Sequence, residues 1–156
     1  ANIYGPIPYT EQFLVYAHFV ADGMKSGFFK AVAHPDIYML NHFAWDKNCE
    51  KAADIIIDTA AATGTVLEYN ANGFRRKPEN FPGGIRHPYP YDTFWKIAAQ
   101  APVRVIVGSD CHNIPSLWDD SVEQSYGHLR ELGIEPITEL IQGVEQNEHT
   151  RYRKTC

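Results

Sequence analysis

Val103-Arg104-Val105-Ile106-Val107-Gly108-Ser109-Asp110-Cys111-His112 is a run of β-branched residues that gives way at once to polar chemistry. The first five residues suit a short buried strand, and Gly108 closes it. A carboxylate, a thiol and an imidazole then follow in consecutive positions. Strands that end this way belong to parallel α/β sheets, in which chemistry gathers at the carboxyl ends of the strands.

Upstream, the same arrangement occurs twice more. Thr65–Asn70 (TVLEYN) reads as a strand, and Phe29–Ala33 (FKAVA) reads as another that ends in His34-Pro35-Asp36. Pro35 has no place in a central strand and marks that boundary. The three strands begin at positions 29, 65 and 103, so they are spaced by 36 and 38 residues. A helical pattern occupies each interval, which predicts parallel pairing with right-handed crossovers. From Asp46, a plausible N-cap, a helix runs with Cys49, Ala52, Ala53, Ile56, Ile57 and Ala60 on one face and stops at Gly64. A shorter one runs from Pro90 or Tyr91 to about Gln100, with Pro90 suited to the first helical position and Phe94, Ile97 and Ala98 inward. Before the first strand, Phe13, Ala17, Val20 and Met24 repeat at helical spacing between Tyr9 and Ser26, with Gly27 as the stop. After the third strand, Asp120-x-x-Glu123 reads as a capping box with Asp120 in the cap position, opening a helix that ends at Gly133. Residues 71–90 hold Gly73, Pro78, Pro82, Gly83, Gly84, Pro88 and Pro90 and read as a long loop. The organisation is one α/β unit over residues 1–143 and a polar tail over 144–156.

The chain has 156 residues, 44% hydrophobic and 21% charged, with a net charge of −5 when histidines are neutral. That suits one domain with a core and falls short of the roughly 200–250 residues of a closed β/α barrel. The acidic balance disfavours a nucleic-acid partner. No apolar run approaches a membrane span and no signal-peptide pattern opens the chain. Three cysteines without paired spacing exclude a disulfide scaffold, so the default compartment is reducing and cytoplasmic.

The three strand ends carry His34-Pro35-Asp36, Glu68-Tyr69-Asn70 and Ser109-Asp110-Cys111-His112. Neutral imidazole with carboxylate is the donor set of a divalent cation. A lone strand-end histidine is more often a satisfied polar residue, and Asp-x-His is frequent by chance. Their coincidence after separate strands makes His34, Asp110 and His112 the metal-ligand candidates. Glu68 lies within its strand and is read as structural; Asn70, at the strand end, is the better site candidate. His42 either lines the pocket or packs among Tyr38, Phe43 and Trp45. Cys111 reads as a small buried residue turned away from the site. Arg75, Arg76, Lys77, Arg86 and His87 form a cationic cluster in the long segment, and Arg75 and Arg86 are the candidate anion contacts.

Taken in order, Ala33-His34-Pro35-Asp36, Glu68-Tyr69-Asn70, Asn72-Gly73-Phe74-Arg75-Arg76, Tyr89-Pro90, Phe94-Trp95 and Gly108-Ser109-Asp110-Cys111-His112 resemble the later motifs of the polymerase and histidinol phosphatase (PHP) family. The histidinol-phosphatase branch is the nearest, and the likeness spans most of residues 10–140. The resemblance implies a partial, distorted β/α barrel of the PHP type, TIM-like and seven-stranded when complete, with parallel strands alternating with helices. It implies three divalent metal ions (zinc, manganese or iron), with His34, Asp110 and His112 as ligands that each serve a different metal. It also implies phosphate contact by an arginine best matched by Arg75, and hydrolysis of L-histidinol phosphate or a similar small ester, a step of histidine biosynthesis. Asp110 and His112 would take the catalytic proton-transfer roles.

The family's opening His-x-His motif does not occur before the first helix, so the chain resembles the C-terminal half of such a domain. A half-domain is expected to be inactive alone, and either to oligomerise through exposed barrel edges or to be poorly soluble. Two other readings stand beside this one: a non-catalytic metal- or anion-binding module, and a polymerase-associated PHP module.

Overall fold

A computed structural model describes residues 9–41 and 43–140. In chain order its elements are α1 (Glu11–Lys25), β1 (Ala31–Val32), α2 (Lys47–Thr63), β2 (Val66–Asn70), α3 (Asn72–Arg75), β3 (Glu79–Phe81), β4 (Gly84–Arg86), α4 (Asp92–Ala98), β5 (Val105–Gly108) and α5 (Asp120–Glu131). The strands β1, β2 and β5 form a parallel sheet in that order, and β3 and β4 form a separate antiparallel hairpin. A parallel bridge between Ile106 and Ile137 adds a further position beside β5. The described residues form a mixed α/β structure whose sheet does not close into a barrel. No helix among them is long and apolar enough to cross a membrane.

Helix periodicity in the sequence translates directly into burial. Cys49, Ala52, Ala53, Ile56, Ile57 and Ala60 are the buried face of α2, and the Asp46 side chain caps it by accepting from the Asn48 and Cys49 amides. Gly64 ends α2 at φ 70°, in the left-handed conformation that lacks a steric penalty only for glycine. On α1 the buried stripe is Phe13, Ala17, Ala21 and Met24. This helix packs on α2, and with Tyr38, Leu67, Tyr69, Phe94 and Trp95 the two build one core.

Three expectations are corrected. The segment 71–90 is not a plain loop. It holds the short α3 and the hairpin, in which Phe81 pairs with Gly84 so that Pro82-Gly83 makes a two-residue connection. Pro90 is not the first helical residue, because Tyr91 is the N-cap of α4. The cap of α5 is Asp119 rather than Asp120, its side chain accepting from the Val122 amide. The polar tail at 144–156 lies outside the described residues.

Asp36 ties the turn after β1 to α4. Its Oδ2 accepts from the Tyr91 amide at 2.6 Å and from Trp95 Nε1 at 3.0 Å, and the side chain is buried. Burial disfavours the charged form and raises the pKa above the ordinary 3.8, although the bonds from Tyr91 and Trp95 pull the other way. The folded state therefore holds this proton more tightly than the unfolded chain does. Its contribution to stability is greatest at and below pH 3.8 and is lost as pH rises through the raised folded value. Asp36→Asn is expected to keep an acceptor for both donors and to remove this slope. Asp36→Ala strands both donors and is expected to cost about 3 kcal/mol. Denaturant unfolding from pH 4 to 7 checks this: an unchanged slope in Asp36→Asn would sink the assignment.

Candidate functional site

Alternation along β2 puts Glu68 and Asn70 on one face of the sheet and Tyr69 on the other. The pairing of Asn70 with Gly108 then brings the ends of β2 and β5 level. Gly108 has no side chain, and Glu68 uses that space: a Cβ at Gly108 would lie 1.8 Å from Glu68 Oε1. The Glu68 carboxylate accepts from the His34 amide at 2.9 Å and from Asn70 Nδ2 at 3.1 Å. Asn70 Nδ2 also reaches Asp110 Oδ2 at 3.3 Å, and Asn72 Nδ2 reaches the same oxygen at 3.2 Å. Asn72 further contacts the Tyr89 hydroxyl, and Asp110 Oδ1 lies 3.4 Å from His112 Nε2. One hydrogen-bonded network thus joins the ends of all three parallel strands.

Two of its members sit in backbone conformations that side chains other than glycine seldom adopt. His34 has φ 30° and Asp110 has φ 47°. Such strain persists only where the surroundings over-determine it, and it clusters at functional sites. Among the described residues, His34 Nδ1 is the buried side-chain nitrogen or oxygen with no hydrogen-bond partner. A buried imidazole nitrogen left unpaired carries a desolvation cost that a metal ion or a ligand proton would remove.

The sequence candidates fare differently. His34, Asn70 and Asp110 are brought together. His112 reaches the network only through Asp110, and its side chain is 79% exposed. Arg75 Nε and Nη2 form a two-pronged pair with Asp119 at 2.8 and 3.0 Å, and the guanidinium also donates to Ser109 and Ser116. This pairing with Asp119 raises the Arg75 pKa. Arg86 donates to the carbonyls of His87, Pro88 and Met39 and lies over the rings of Phe81 and Tyr91; burial lowers its pKa. Both guanidinium groups are thus engaged with protein acceptors. Exposed Arg76 lies over Tyr89, 5.5 Å from the ring centroid, beside the network. Cys111 is exposed rather than buried. His42 lies outside the described residues.

Glu68 and Asn72 join the network without having been singled out as site residues in the sequence, and Tyr89 joins it from the Tyr89-Pro90 motif. The usable signal for Glu68 was its parity with Asn70, two residues apart on one strand. A second polar feature lies on the opposite face of the sheet, where the Tyr69 hydroxyl bonds His128 Nδ1 and His128 lines a cavity of about 580 Å³ with Phe74, Asp92 and Glu131.

The donor chemistry at the strand ends suits a divalent cation, since the unpaired His34 nitrogen and the Asp110 carboxylate are both borderline-to-hard ligands. Among the described residues, however, no three His, Cys, Asp or Glu side chains are grouped to hold a metal ion by themselves. Comparison with protein-family models, with curated proteins and with solved structures gives no match for the chain.

Proposed function

We propose that the chain carries part of a metal-dependent phosphomonoesterase site of the PHP type, set in a partial, distorted β/α barrel. The observation that carries the reading is the buried, unpartnered His34 Nδ1, held in a strained turn beside the Glu68–Asn70–Asp110 network. His34 and Asp110 would hold divalent cations, with His112 as the exposed third donor. A bound cation supplies hydroxide at neutral pH by lowering the pKa of its water. Around it, Glu68 holds the His34 turn through the His34 amide, and Asn70 and Asn72 orient Asp110 through its Oδ2. His112 would give a proton to the leaving alkoxide of a small phosphate ester through the ring nitrogen that holds no cation. Arg76 is the cation open to the phosphoryl oxygens, because Arg75 and Arg86 are engaged elsewhere.

A metal- or anion-binding module without catalysis is the second reading. The lack of a three-donor cluster among the described residues favours it for these residues alone. Phosphate release from L-histidinol phosphate, with manganese or zinc, separates the two when measured on this chain and on a form extended upstream of Ala1. The extended form is expected to bind about three metals and to turn over, while this chain binds fewer, more weakly, and does not turn over. His34→Ala and Asp110→Asn in the extended form should each lower turnover by at least about a hundredfold. Unchanged metal content and rate in Asp110→Asn would contradict the site.

A further inference from the structure

We propose that Arg75 is a positioning residue that holds the Asp110 turn in its site-forming conformation by clamping it to the start of α5. This rests on the reading of Asp110 as a metal ligand.

The argument starts from the backbone. Asp110 sits at φ 47°, a left-handed conformation that aspartate tolerates better than most residues but that still costs more than an extended one. Something must hold the preceding peptide, and Arg75 does. Its Nη1 donates to the Ser109 carbonyl, the peptide group that leads into Asp110. Its Nη2 donates to Ser109 Oγ at 3.1 Å and to the Ser116 carbonyl at 2.8 Å. Ser109 Oγ in turn donates to the Ser116 carbonyl at 2.6 Å, which closes a small ring of bonds around the turn. The guanidinium is itself anchored by Asp119, the N-cap of α5. Four segments separated in sequence, namely α3, the end of β5, the turn at Ser116 and the start of α5, therefore meet on one side chain.

The geometry also argues against a direct phosphate contact. The two-pronged edge of a guanidinium, Nε with one Nη, is the edge that grips carboxylate or phosphate. In Arg75 that edge already grips Asp119. A phosphate would have to displace a carboxylate whose own pKa is lowered by the same pairing.

The test uses this chain and four variants, Asp110→Asn among them. Arg75→Met removes the clamp, Asp119→Asn weakens its anchor without touching the turn, and Ser109→Ala removes one bond as the mildest change. Amide hydrogen exchange at residues 110–112, broadening of the Asp110 amide by Mn²⁺, and titration with orthophosphate are read at a temperature where each variant is folded. Arg75→Met and Asp119→Asn are both expected to speed exchange at 110–112 and to weaken Mn²⁺ binding by about tenfold. Asp119→Asn should leave orthophosphate affinity unchanged. The proposal is overturned if Asp119→Asn changes neither exchange nor Mn²⁺ binding, or if Arg75→Met abolishes orthophosphate binding while Asp119→Asn strengthens it. If Asp110→Asn leaves Mn²⁺ binding untouched, the metal reading fails by itself. Exchange at 110–112 then still decides the positioning role.

Discussion

Gly73→Ala is expected to destabilise the protein by about 3 kcal/mol, among the largest losses from a single methyl group. A Cβ on Gly73 would lie 2.0 Å from the Tyr89 carbonyl oxygen, 2.6 Å from its carbonyl carbon and 2.8 Å from the ring. The first two contacts are backbone, so no rotamer change relieves them. Either α3 or the Tyr89 segment must move. Both outcomes break the Asn72–Tyr89 bond, and moving α3 also shifts Arg75, which ends that helix. At roughly 2–4 °C per kcal/mol for a chain of this size, the melting temperature should fall by about 6–12 °C. Thermal unfolding followed by circular dichroism checks this. A fall of less than about 2 °C would show that α3 does not pack on Tyr89 as described.

Gly108→Ala should act on the site more than on the fold. Here the added Cβ meets a side chain, at 1.8 Å from Glu68 Oε1, 2.5 Å from Cδ and 2.7 Å from Cγ. Glu68 can swing away, but only by releasing the His34 amide and Asn70 Nδ2. The expected stability loss is about 1–2 kcal/mol. The loss at the site is expected to be larger in proportion: metal affinity should fall by about a hundredfold, because the bonds that fix the ligands' surroundings are typically worth ten- to a hundredfold each. Retained affinity in Gly108→Ala would mean that Glu68 has no part in shaping the His34 turn. Paired with Gly73→Ala, this substitution separates damage to the network from damage to the scaffold.

The parallel sheet was legible because its determinants are local. VRVIV and TVLEYN are short β-rich runs that become β5 and β2, and the α2 face repeats without interruption, whereas FKAVA yields only the two-residue β1 and leaves Phe29 exposed. The segment 71–90 was misread because glycine and proline mark turns without saying whether a hairpin joins them. Only the pairing of Glu79 with Arg86 does that. Asp119 and Asp120 are adjacent carboxylates that the capping-box pattern cannot rank. Arg75 shows the limit most clearly. An arginine beside a predicted anion site reads as a phosphate contact, while its actual acceptor, Asp119, lies 44 residues away. Glu68 was legible as structural, but what it holds depends on the missing side chain of Gly108 across the sheet. Residue types at the strand ends were visible in sequence, whereas the bonds that organise them are long-range.

That His34 and Asp110 hold cations at the joined strand ends is the central claim, and Mn²⁺ titration of the isotopically labelled chain tests it most directly. Paramagnetic broadening reports proximity even when binding is weak. Resonances of His34, Glu68, Asn70 and Asp110 should broaden first and together, and His34→Gln or Asp110→Asn should raise the Mn²⁺ concentration needed by at least about tenfold. Broadening that begins elsewhere, or that is unchanged in both variants, would contradict the site.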